Sequence, residues 1–138
     1  MSRHIDIKKL SEALDAVPGL RFAVLFGSAK SGELPRDDSD VDLAVQLDHM
    51  PGLEEWGALL AIVQEALGTD RVDLVVLRPD SHWTLQREVL KGQLLVCHDP
   101  HAYAEFFSLA DRRGRDEEQR IARAWVLRRK LKTFSSPL

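Results

Sequence analysis

Four short apolar runs, at residues 20–26, 41–47, 71–77 and 93–97, alternate with stretches whose apolar residues recur at helical spacing. Each run is five to seven residues long, too short for a core helix, and the first lies between Gly19 and Gly27. Such runs predict buried strands. The clearest helix spans 53–67, where Leu53, Trp56, Leu59, Leu60, Val63 and Leu67 form one stripe and Gly68 stops it. Another covers 5–17, where Ile5, Leu10, Leu14 and Val17 recur at roughly helical spacing and Pro18-Gly19 ends the segment. Residues 28–38 have the composition of a short helical turn followed by a loop, and Ser81 opens a helix through residue 90. After Pro100 the pattern is helical, with a break expected at Arg113-Gly114 and a long helix from about 116 to 131. This order predicts an α/β (α+β) fold, a mixed four-stranded sheet with helices packed on one face. At 138 residues one domain is expected, a core over 1–99 and a C-terminal helical extension over 100–138.

Charge separates along the chain. Residues 1–110 hold 10 basic and 18 acidic side chains, a net of −8, whereas residues 111–138 hold 9 basic and 4 acidic ones, a net of +5. An acidic body argues against a groove that tracks nucleic-acid phosphates, so no direct nucleic-acid partner is expected. The basic tail is either a solvated helix face or a partner surface, on which Trp125 and Leu127 are the best anchors. The single Cys97 excludes an internal disulfide and fits a reducing compartment. The first residues are charged where an export signal needs an apolar stretch, and no apolar run approaches membrane-spanning length, so a cytoplasmic location without a membrane partner is expected. Histidines 4, 49, 82, 98 and 101 include no pair at metal-ligand spacing on one helix. Phe26-Gly27-Ser28-Ala29-Lys30 lacks the second glycine of a hydrolase elbow, and no P-loop occurs.

The chemistry-bearing segment lies between the first two strands. Gly27-Ser28-Ala29-Lys30-Ser31-Gly32 is followed by Ser39-Asp40-Val41-Asp42-Leu43. Asp40 and Asp42 are two apart at a strand start, so they share a face with Cα atoms about 6.6 Å apart. Paired carboxylates repel and are costly to bury, and a divalent cation removes both costs. Hard oxygen donors without nearby His or Cys favour Mg2+, which bridges carboxylates to phosphates. Gly27 permits close backbone approach and Ser28 offers a hydroxyl to a phosphate oxygen. Asp73, inside the apolar run 71–77, lies either on the solvent face of an edge strand or beside that pair. Asp37 and Asp38 read as a solvated loop.

Gly27-Ser28, Gly32, Ser39-Asp40-Val41-Asp42-Leu43 and Asp73 together resemble the signature of the DNA polymerase β-like nucleotidyltransferase superfamily. The short chain is similar to its minimal nucleotidyltransferases (MNT domains), antitoxins of HEPN/MNT toxin–antitoxin pairs. The resemblance implies transfer of AMP from ATP to a hydroxyl with loss of pyrophosphate. It places Mg2+ on Asp40 and Asp42, with Asp73 completing the metal site and activating the acceptor. Gly27, Ser28, Lys30 and Ser39 would bind the nucleotide. Ser31 stands where many minimal members carry arginine, and Lys30 precedes it as a point charge. The acceptor implied is a tyrosine of a cognate HEPN toxin; homo-oligomers are possible. The alternatives are an antitoxin that neutralises by binding alone, and a small-molecule (antibiotic) adenylyltransferase. The latter is disfavoured because only about 40 residues follow the last strand, too few for a helical substrate domain.

Overall fold

The computed structural model describes residues 3–34 and 40–135, with side chains described over 4–33 and 40–129. The elements run β1 (Arg3–His4), α1 (Ile7–Asp15), β2 (Leu20–Phe26), a 3₁₀ turn (Gly27–Ala29), β3 (Glu33–Leu34), β4 (Val41–Leu47), α2 (Leu53–Leu67), β5 (Val72–Val76), α3 (Trp83–Leu90), β6 (Gln93–Cys97) and α4 (Pro100–Ser135). Four of these, β2, β4, α2 and β6, end where apolar periodicity and bordering glycines place them. The expected Asp37, Asp38 and Ser39 lie outside the described residues.

The main sheet has the order β5-β4-β2-β6, with β4 and β5 parallel and the other pairs antiparallel. It is the mixed four-stranded sheet that the alternation of elements predicts. The helices, however, cover both faces rather than one. Period-two alternation sends Ala23, Leu43 and Val45 into a core with Leu10 and Leu14 of α1 and Leu59 and Val63 of α2. The intervening Phe22, Val24, Phe26 and Ala44 pack with Val89 of α3 and Phe106 and Ala110 of α4. Both faces of β2 are apolar, so the central strand demands cover on each side. Phe22 carries the second layer, its ring centroid 5.3 Å from Tyr103 and 5.6 Å from Phe106.

α4 is one uninterrupted helix, and the break expected at Arg113-Gly114 is absent. A helical glycine costs about 1 kcal/mol, which local tertiary contacts outweigh. Arg113 Nη1 donates to the Pro79 carbonyl at 2.7 Å and to Oε1 of the buried Gln86 at 3.4 Å, and Arg87 pairs with Glu118 at 2.5 Å. These bonds hold α4 against α3 on either side of Gly114. A second departure is the two-residue ladder of β1 on β3, extended by the Ile5 N–H donating to the Gly32 carbonyl at 2.7 Å. Ile5 and Ile7 then pack against Leu25, Ala29 and Val41, locking the start of the chain onto the turn that follows β2. Among the described residues no helix is long and apolar enough to cross a membrane.

Candidate active site

The carboxylates gather at one end of the sheet because β4 and β5 begin there and the antiparallel β2 ends there. In the parallel ladder Asp42 stands opposite Asp73, and on the other side Asp42 stands opposite Phe26. Paired residues on neighbouring strands project to the same face, and strands lie about 4.8 Å apart. Asp40, immediately before β4, shares that face by alternation. Asp73 thus lies on an edge strand and also beside Asp42, and both readings of that residue hold at once.

Electrostatics register this crowding. Partial burial raises the Asp42 pKa above the usual carboxylate range, and the negative charges of Asp73 and Asp40 push it further in the same direction. Asp40 and Asp73 are exposed. Arg71, just ahead of β5, brings Nη1 to 4.0 Å from Asp40 Oδ1, a solvent-screened contact. Among the described residues, Arg71 is a neighbour of the acids that sequence reasoning left unassigned. Only its place directly before the Asp73 strand hinted at it.

Gly27 joins β2 to the 3₁₀ turn with φ +72°, a conformation that L side chains rarely adopt. A Cβ there would collide with Oδ2 of Asp42. The glycine therefore serves two ends, the sharp exit from β2 and the room in which the Asp42 carboxylate sits. Ser28 and Lys30 are exposed on the turn, and the Lys30 N–H donates to the Gly27 carbonyl at 3.3 Å. Gly32, at φ +83°, closes the segment with its N–H on the Ala29 carbonyl at 2.9 Å. The structure thus brings Gly27, Asp42 and Asp73 together, with Asp40 adjoining and Ser28 and Lys30 on the bordering turn.

The donor set suits a hard divalent cation: three carboxylates, one of which burial and its two acidic neighbours hold against ionisation. Among the described residues no three His, Cys, Asp or Glu side chains are already drawn in closely enough to hold a metal.

The polymerase beta nucleotidyltransferase family model matches residues 8–101, two-thirds of the chain, and the chain belongs to that family. No curated protein matches it in sequence. Among solved structures, it is similar to a chain of a toxin–antitoxin MntA–HpeT mutant in which two aspartates, two positions apart, are changed to glutamate. The TM-score there is 0.68 at 22% identity, covering 92% of this chain and 99% of that one. A toxin–antitoxin complex with AMP-PNP gives 0.66 at 23% identity, covering 92% and 99%. A tri-AMPylated Shewanella oneidensis HEPN toxin in complex with MNT antitoxin gives 0.60 at 22% identity, covering 91% and 95%. At such identities the likeness is one of fold.

Proposed function

We propose that this chain is a minimal nucleotidyltransferase antitoxin that moves AMP from ATP to a tyrosine hydroxyl of a partner HEPN toxin, with Mg2+ on Asp40, Asp42 and Asp73. The observation that carries this reading is the register of Asp42 on Asp73, directly beside the side-chain-free Gly27. The similar folds add support: one was solved with AMP-PNP, one with an AMPylated toxin, and one with changes at two aspartates spaced like Asp40 and Asp42.

In this mechanism the Ser28 hydroxyl and the Lys30 ammonium meet the outer phosphates, holding the triphosphate with its leaving side toward the turn. Asp73, on the open edge strand, accepts the proton of the incoming hydroxyl. The acceptor oxygen bonds to the α-phosphorus while the bond from that phosphorus to the bridging oxygen breaks, and pyrophosphate departs. Bound magnesium supplies the positive charge that lets carboxylates and phosphates share one site.

The test is incubation with labelled ATP, Mg2+ and the protein of the adjacent reading frame. Label is expected on that protein, and Asp42→Asn is expected to reduce it by roughly a hundredfold or more. Absence of label, or label undiminished by the substitution, overturns the reading. The alternative is neutralisation by binding alone. Growth rescue by an Asp40→Asn, Asp42→Asn double variant, with no label in the assay above, would select it.

A further inference from the structure

Among the described residues two helix faces are exposed, and they are opposite in charge. On α4, contact with α3 reaches Glu118, which pairs with Arg87. Residues 119–129 are exposed throughout, including Trp125 at 63%, Val126 at 54% and Leu127 at 59%. That stretch contains four arginines and no acid and is about 16 Å long. Val126 and Leu127 line an apolar hollow with Ala122 and Arg123, one turn back on the same side, which marks a contact surface rather than a solvated helix.

The second face is the outer side of α2. Leu59 and Val63 point inward, while Gly57, Ala58, Ala61 and Ile62 are exposed between Glu54 and Glu65. A Cβ at Gly57 would meet nothing within 4 Å. Small residues between acidic ends form a shallow bed on which a helix can lie close. Residues 48–70 hold five acids and no Lys or Arg, and α2 is about 22 Å long, enough to seat the exposed stretch of α4. Since α2 and α4 pack on opposite faces of the sheet, a chain's α4 cannot fold back onto its own α2.

We infer that the basic, apolar distal half of α4 docks on the acidic outer face of α2 of a second copy of this chain. Charge complementarity sets the orientation and approach, and Val126 and Leu127, which share a face of α4 with Arg123, exclude water from the middle against the alanine bed. The inference is independent of the catalytic reading, because neither face includes a residue of the site.

Light scattering at low salt tests it, with circular dichroism to check that each variant is folded. The wild-type chain is expected at twice its 15.6 kDa mass or more. An Arg123→Glu, Arg128→Glu variant sets acid against acid, and a Glu54→Lys, Glu65→Lys variant sets base against base. Each is expected to be monomeric alone, and their equimolar mixture to associate, because both contacts are then again between opposite charges. A monomeric wild type, association of either variant alone, or a mixture that stays monomeric overturns the inference. It is overturned likewise if the wild type is monomeric and arm reversal only abolishes capture of the adjacent reading frame's protein, which would make that protein the occupant.

Discussion

At Asp42 the fold holds an acid where its ionised form is disfavoured. A carboxyl whose pKa is raised on folding contributes most when protonated, and that contribution is lost as pH rises through the raised value. Asp42→Asn is therefore expected to melt higher than the wild type at pH 7 without divalent metal, the gap closing near pH 3, as scanning calorimetry will read. The same variant is expected to lose most of the stabilisation that Mg2+ with nucleotide gives the wild type. At a hundred times its Kd a ligand contributes about 2.7 kcal/mol, several degrees for a chain of this size. The placement of the three aspartates at one end of the sheet was legible in the sequence because two of them alternate at a strand start and the third interrupts an apolar run. The position of Arg71 against Asp40 was not, because the rotamer of an exposed arginine leaves no trace in periodicity.

Among the elements, long periodic segments declared themselves and short or irregular ones did not. α2 carries Trp56, Leu59, Leu60, Val63 and Leu67 of its expected stripe on the core and ends on Gly68 in the left-handed conformation, so its limit and most of its face were readable. Leu53, in the first turn beyond the edge of the sheet contacts, is instead 85% exposed. β1 and β3 have two residues each, below any period, and only their pairing across the chain reveals them. The glycine at 114 misled because a local helix penalty says nothing about the anchors at Arg113 and Glu118. That penalty yields a prediction. No neighbour outside its own helix lies within 4 Å of an added Cβ at Gly114, and the residue borders a cleft lined by Leu90, Ala110 and Glu118. Gly114→Ala is expected to stabilise the protein by about 0.5–1 kcal/mol, measured by urea unfolding.

Over the whole molecule, the sheet is a shared wall between two cores, and Phe22 is the ring by which the α4 side grips it. Phe22→Ala is expected to cost about 3–5 kcal/mol, seen as an earlier midpoint in urea denaturation with sheet and helix signals moving together. The sequence showed an acidic body and a basic tail but could not assign helices to faces, since both sides of β2 carry buried apolar residues. The strand formed by Arg3 and His4 gives the amino end an influence beyond its size. It ties the segment after the Ser28 turn to Ile5 and, through Ile7, to the core beneath Ala29. Any polypeptide added ahead of that strand hangs from the tether that steadies the turn after β2, so choosing which end bears a purification handle is also choosing how taut that turn will be.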